Sequence, residues 1–467
     1  MSDITDDVFF APVTELNARL LKKEFSAVEL TKAFGERLAK LGPRYNALAL
    51  PLTSRAVKRA KDIDGEFKRE RLRGPLQGVP FGAKDLLSVA GLKTTWGAKP
   101  YETQVLDETA TVLDKLDKTG AQLVGKLSMI ELAGGPSYRT AEASLFGPCK
   151  NPWDLTRWAG GSSSGSGAAV AAGLVPFALG SETSGSIINP AAYCGVTGLR
   201  PTYGLVSRHG AMALSWTLDK IGTLCRTAED CGHVLQAIAG GDAKDPGSAG
   251  KSFYYTPQYM RKISELKAVV ASGGLSWADT AIGVLKEAGL QTAEGKLPDF
   301  PFAAMISTII ACEAASIFEP LITSGKIDQL QDARQIARMK AGLQIPAKDY
   351  LKAMRMRSLL RAKFRELFSK VDVLIAPTFT TIAPKIADAL DAPAPNQPSG
   401  PSPLPGLIQA GNLAGLPALS IPAGFQDGMP VALQLVGPPF SENMLLTLGV
   451  EFQKRTDWHK RRPVVAV

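Results

Sequence analysis

Histidine is scarce in this chain: His209, His233 and His459 are all there is in 467 residues. They show no H-x-x-x-H spacing and join no Cys/His cluster, so neither a metal nor a cofactor is expected. The five cysteines, Cys149, Cys194, Cys225, Cys231 and Cys312, form no C-x-x-C pair. An odd number in a long chain argues against a disulfide framework. Long hydrophobic runs are missing as well. The longest, Ala168 to Gly180, falls short of the roughly 20 residues a bilayer demands. Strong charge is absent: a net +9 at this length is a mild bias, and no nucleic-acid or membrane partner is expected. The start, "MSDITDDVFF", is acidic where a leader peptide would be basic. The expectation is a soluble protein of a reducing, cytoplasmic compartment. No internal repeat is visible.

What is present suits a large globular core, with 45% apolar and 21% charged residues. "PVTELNARLLKKEF" and "SAVELTKAFGERLAKLG" repeat apolar residues at helical spacing, and Ser26 with Glu29 predicts a capping box. "GAQLVGKLSM", "GLVPFALG", "DVLIAPTF", "ALSIPAG" and "VALQLVG" read as buried strands. "KAVVASGG", followed by a helical pattern from Trp277 to Ala288, predicts a βα unit. Strands separated by helices predict an α/β fold with a mainly parallel or mixed sheet. "GPLQGVPFGAKDLLSVAG" reads as loop-rich with a short apolar centre. The basic stretch 340–370 predicts an amphipathic helix with a solvated face. The Pro-rich, almost uncharged stretch 391–406 predicts an exposed loop, a candidate lid.

Several motifs nearly fit. Gly120 to Lys126 matches G-x-x-x-x-G-K, but Leu127 stands where a hydroxyl would hold Mg²⁺, and the glycines bracket an apolar strand. Gly161-Ser-Ser-Ser-Gly165 satisfies G-x-S-x-G, with Ser163 as the nucleophile of a Ser-His-Asp esterase. That elbow needs a strand directly before the turn, and "NPWDLTRWAG" is a poor one.

The unusual feature is a pair of hydroxyl-rich, glycine-loosened loops, "AGGSSSGSG" (159–167) and "GSETSGSIINP" (180–190), on either side of an apolar run. They fit flexible linkers, backbone nests for an anion, or a serine nucleophile with hydroxyl partners. With so few histidines, a lysine base is a natural alternative. An ordinary lysine titrates near 10.4, but burial among apolar groups lowers that by several units. Lys84 lies among Val79, Pro80, Phe81, Leu86 and Leu87; the bland alternative is a lysine reaching out of a half-buried loop. Ser186 could attack a carbonyl while the N–H groups of Thr183, Ser184, Gly185 and Ser186 hold the oxyanion. A hydroxyl from the 160s loop could carry the proton to Lys84.

The run "AGGSSSGSGAAVAAGLVPFALGSETSGSIINPAAYCGVTGLRPTYGLVS" (159–207) resembles the signature of the amidase signature family. "LQGVPFGAKDLLSVAG", "GAQLVGKLSMIELA" and "NLAGLPALSIPAGFQDGMPVALQLVGPPFSENMLL" resemble its flanking and closing segments. The resemblance implies one large α/β domain over 1–467, a central mixed sheet flanked by helices on both faces. Within it, 1–65 would be N-terminal helices and 66–240 the signature core. The variable specificity region would be 241–365, and 366–467 the closing part. It implies a Ser–cis-Ser–Lys triad: Ser186 as nucleophile, Ser162 as bridging serine with a cis peptide, Lys84 as base and acid. Ser163 would be a supporting hydroxyl, and Thr183 to Ser186 the oxyanion hole. The acyl pocket would be lined around Met129, Gly134 and Gly135, and by the middle region.

The chain departs from the family at Ser184, where a glycine is common, and at Ile188. There the arginine that would pair with the acid, here Glu182, is missing. The implied activity is hydrolysis of small-molecule amides or carbamates, with water as acyl acceptor; a homodimer is left open. A free-standing hydrolase is the main expectation, because "RMKAGLQIPAKDYLKA" lacks the Gly-Tyr-Tyr-Asp-like glutamine-site stretch. The alternative is the glutaminase-type A subunit of a glutamyl-tRNA(Gln) amidotransferase.

Overall fold

The computed structural model describes residues 4–256, 261–391 and 404–465. Its strands are β1 (Leu48–Pro51), β2 (Pro80–Lys84), β3 (Gln122–Leu127), β4 (Lys150–Asn151), β5 (Asp154–Trp158), β6 (Phe177–Glu182), β7 (Thr197–Arg200), β8 (Lys220–Cys225), β9 (Lys267–Val270), β10 (Gln291–Thr292), β11 (Val373–Pro377), β12 (Ala418–Gln426) and β13 (Met429–Val436). β4 and β5 form a separate hairpin. The others build one sheet of 11 strands in the order β1-β3-β2-β6-β8-β7-β12-β13-β11-β9-β10. Parallel pairs (β2 with β3 and β6, β9 with β10 and β11) sit among antiparallel ones, so the sheet is mixed.

Both faces of this sheet are covered. Successive side chains of a strand point to opposite faces. Along β6, Phe177 and Leu179 enter one hydrophobic cluster, whereas Ala178 between them enters another with Ala168, Val170 and Leu224. Helix Ser164–Ala171 is buried throughout, and its small residues permit this. A Cβ on Gly165 would lie 2.5 Å from the Ala47 carbonyl oxygen.

The five predicted strand segments all contain strands, and the βα unit is β9 followed by helix Ser276–Glu287. Helix Ala27–Leu41 starts at the capping box: Glu29 N–H donates to Ser26 Oγ, and the Ser26 N–H donates to the Glu29 carboxylate. The basic stretch supplies helix Ala347–Phe368, which buries Ala353, Arg357, Leu360 and Phe364 along one side. The P-loop look-alike is β3, where Lys126 is buried with its Nζ 2.8 Å from Asp85 Oδ1.

The loop reading of 74–91 is corrected. Its apolar centre is β2, a central strand paired on both sides. Proline is tolerated at the first residue of a strand, which is where Pro80 stands. The glycine that weakened the strand pattern allows close contact, since a Cβ on Gly82 would come 2.5 Å from Leu127. Of the Pro-rich stretch, residues 392–403, and with them the lid expectation, lie outside the described residues. No helix among the described residues is long and apolar enough to cross a membrane.

Candidate active site

Sheet register places the lysine. β2 and β6 run parallel with Gly82 opposite Ala178 and Ala83 opposite Leu179. Lys84, the last residue of β2, therefore meets the end of β6, where Ser181 stands. Its Nζ lies 2.8 Å from Ser162 Oγ and 2.9 Å from Ser181 Oγ. Lys84 and Ser162 are fully buried, whereas Ser186 keeps 9% of its surface. Burial disfavours the ammonium and brings the Lys84 amine from 10.5 down to about 7, although the Asp219 and Glu182 carboxylates pull the other way.

The serine loops meet here. The Gly161–Ser162 peptide is cis. The Ser163 N–H donates to the Ser186 carbonyl at 3.3 Å, which ties the 159–167 loop to the loop carrying Ser186. Gly160 has φ +87°, and a Cβ there would meet Asn189 Oδ1 at 2.4 Å, so a side chain is excluded. The same Asn189 oxygen accepts the Gly161 N–H at 3.1 Å. Gly185 has φ +92°, a backbone that glycine adopts readily. The N–H groups of Ser184, Gly185 and Ser186 have no acceptor among the described residues.

Glu182 braces this loop from beneath. One carboxylate oxygen accepts the N–H groups of Ile187 and Ile188 at 2.9 and 3.0 Å. The other accepts Arg200 Nη1 at 2.7 Å and Asn412 Nδ2 at 2.8 Å. Asn412 Oδ1 in turn accepts Lys220 Nζ at 2.7 Å. Burial alone would raise the Glu182 carboxyl, but the positive charges of Arg200 and Lys220 outweigh it and hold it at about 2. The arginine missing from position 188 is thus replaced from β7.

Ser163 is not a free nucleophile. Its hydroxyl donates to the Ser181 carbonyl at 3.1 Å and accepts the Ser181 N–H at 3.2 Å. Strand β5 lies outside the main sheet, pairing with β4 and bridging Lys385 through Arg157, and it ends at Trp158, before the Ser163 turn. Among the described residues no histidine bonds to any of these serines. His209 faces Glu108 at 3.4 Å, and His459 is buried with its imidazole lowered to about 4 by burial.

The segment expected to line the acyl side is fixed to the same place, since the Ile130 N–H donates to the Ser162 carbonyl at 3.1 Å. Met129 is sealed in the core. Gly134 and Gly135 back onto the Tyr138 ring and the Gln335 side chain. Ala133 of this segment faces a cavity, together with Ser181 and Thr183. Three neighbours of Lys84 and Glu182 were not identified from the sequence: Ser181, Arg200 and Asn412. Ser181 lay within the quoted loop, and its period-two position beside Lys84 was readable only once β2 was recognised as a strand.

Residues 29–446 match the family model described as Amidase. The chain is 35% identical over 493 residues to the A subunit of the glutamyl-tRNA(Gln) amidotransferase of Carboxydothermus hydrogenoformans, covering 98% of this chain and 99% of that one. It superposes on the native peptide amidase of Stenotrophomonas maltophilia with TM-score 0.83 and 30% identity, covering 97% of this chain and 98% of that one. For the A subunit of the glutamyl-tRNA(Gln) amidotransferase of Thermotoga maritima the TM-score is 0.74 and the identity 28%, over 97% and 96% of the two chains. The chain belongs to the amidase signature family.

Proposed function

We infer that the chain hydrolyses carboxamide C–N bonds through an acyl-enzyme on Ser186. The observation that carries this is the sealed Lys84 amine, brought to about 7 by burial, 2.8 Å from the Ser162 hydroxyl. A base with a pKa near the working pH combines the right protonation state with useful basicity. Ser186 Oγ attacks the carbonyl carbon. Its proton passes to Ser162 Oγ, whose own proton goes to Lys84 Nζ. The carbonyl electron pair moves onto oxygen, where the N–H groups of the 183–186 loop receive it. Collapse breaks the C–N bond, and the Lys84 ammonium returns its proton through Ser162 to the leaving amine. Water then repeats the sequence on the ester, releasing the acid and free Ser186.

The experiment is labelling with a small fluorophosphonate followed by peptide mass spectrometry. The label should sit on Ser186; a label on Ser163 or elsewhere overturns the assignment.

The acyl donor has two readings. Curated relatives of nearly equal length are amidotransferase A subunits, which favours a glutamine-amidase working beside a partner protein. The tighter superposition on a peptide amidase, TM-score 0.83 against 0.74, favours an enzyme that hydrolyses other amides directly. Turnover of simple amides by the isolated chain supports the second; turnover of glutamine alone supports the first.

A further inference from the structure

A cavity of about 250 Å³ opens beside the end of β6. Ser181 and Thr183 form part of its wall, and Ser181 Oγ is the hydroxyl 2.9 Å from Lys84 Nζ. Leu86, Ala133, Met212, Leu214 and Ile221 supply apolar wall. Trp216 stands at its edge, about half exposed, with its carbonyl accepting the Tyr203 hydroxyl at 2.7 Å.

Charged side chains also reach this space, and most of them are already bonded within the protein. Arg208 pairs with Asp245 through Nη2–Oδ1 at 2.7 Å and Nε–Oδ2 at 3.0 Å. Asp219 accepts the Thr183 hydroxyl at 2.6 Å and the Leu214 and Ser215 N–H groups at 2.8 Å. Lys220 is committed to Asn412, and His209 faces Glu108. Lys244 is exposed to water. A charged substituent entering here would shed its hydration against a mostly apolar wall, in which the Asp219 carboxylate is already bonded to a hydroxyl and two N–H groups and Lys244 stands in water. An uncharged apolar substituent gains by leaving water.

We propose that this cavity is the specificity pocket and takes an uncharged, apolar part of the amide, a single ring or a short branched chain. The volume lies below the ~300–1,000 Å³ of sites for drug-sized ligands, which sets that size. The assignment rests on the acyl-Ser186 reading and adds the substrate class to it.

The test compares the full chain on 3-phenylpropanamide, propanamide and L-glutamine. The phenyl substrate should exceed both others in kcat/KM by about tenfold or more, as one apolar pocket allows. Ala213→Trp fills the cavity and Trp216→Ala removes its edge; each should lower the phenylpropanamide-to-propanamide ratio by about tenfold. Inactivation by phenylmethanesulfonyl fluoride against methanesulfonyl fluoride reads the same change in ratio without turnover. A preference for glutamine, or ratios that neither variant moves, overturns the proposal. Fluorophosphonate labelling of the same samples separates the failures. A labelled Ser186 without apolar preference sinks the pocket alone; an unlabelled wild-type Ser186 sinks the acyl-enzyme reading with it.

Discussion

Glu182 is paired with Arg200, at 2.7 Å, across two strands that share the neighbour β8. Both side chains are fully buried. Removing one partner of such a pair leaves an uncompensated charge and costs about 3–5 kcal/mol. Arg200→Met should therefore lower the urea midpoint strongly. Because Glu182 also holds the N–H groups of Ile187 and Ile188, directly after Ser186, labelling of Ser186 should slow in the folded fraction. Arg200→Lys keeps the charge but not the geometry and should fall between wild type and Arg200→Met. Unchanged stability in Arg200→Met would show that Lys220 alone neutralises the acid.

The two hydroxyls on Lys84 should not be equivalent. If Ser162 carries the relay, as proposed, Ser162→Ala should lower kcat by about 10³-fold or more, within the reach of lost acid–base catalysis. Ser181 only accepts a hydrogen bond that favours the ammonium. Ser181→Ala should cost about tenfold or less and move the acid limb of the pH–rate profile downward, because the charged form loses a partner. Equal losses from the two variants would make Ser181 a relay member.

The histidines should be dispensable for chemistry. His459→Ala should leave kcat within about threefold, and any cost of His209→Ala, at the cavity wall, should fall on KM. A collapse of kcat in either variant would restore a Ser-His-Asp scheme.

Strands with continuous apolar runs were readable, because a strand buried on both faces has little else to show. β2 was hidden by Pro80 and Gly82, residues that serve the strand start and the contact with Leu127 but dilute the pattern. The serine loops were readable as a chemical pairing because hydroxyls and glycines cluster at both ends of one apolar run. The counter-ion of Glu182 was not. It comes from Arg200 on β7, and Asn412 arrives from a helix 230 residues further along. Only strand order brings those groups together, and strand order is not written in local periodicity.

The lysine itself gives the pH dependence. In the proposed mechanism its neutral form is the base, and its amine is brought from 10.5 to about 7 by burial. Activity should rise with pH, reach half its plateau near 7 and fall tenfold per unit well below that. Lys84→Ala should be slower by several powers of ten, with the limb near 7 gone. Stability follows the same shift with a definite sign. Between the folded value and the ordinary lysine value, the unfolded chain binds the extra proton, so folding stability gains from Lys84 as pH rises through that window. Lys84→Met should remove this slope, and at neutral pH should stabilise the fold while abolishing turnover. Urea unfolding at pH 7 and pH 9 checks it: a wild-type midpoint that does not rise relative to Lys84→Met would mean the buried amine keeps its proton.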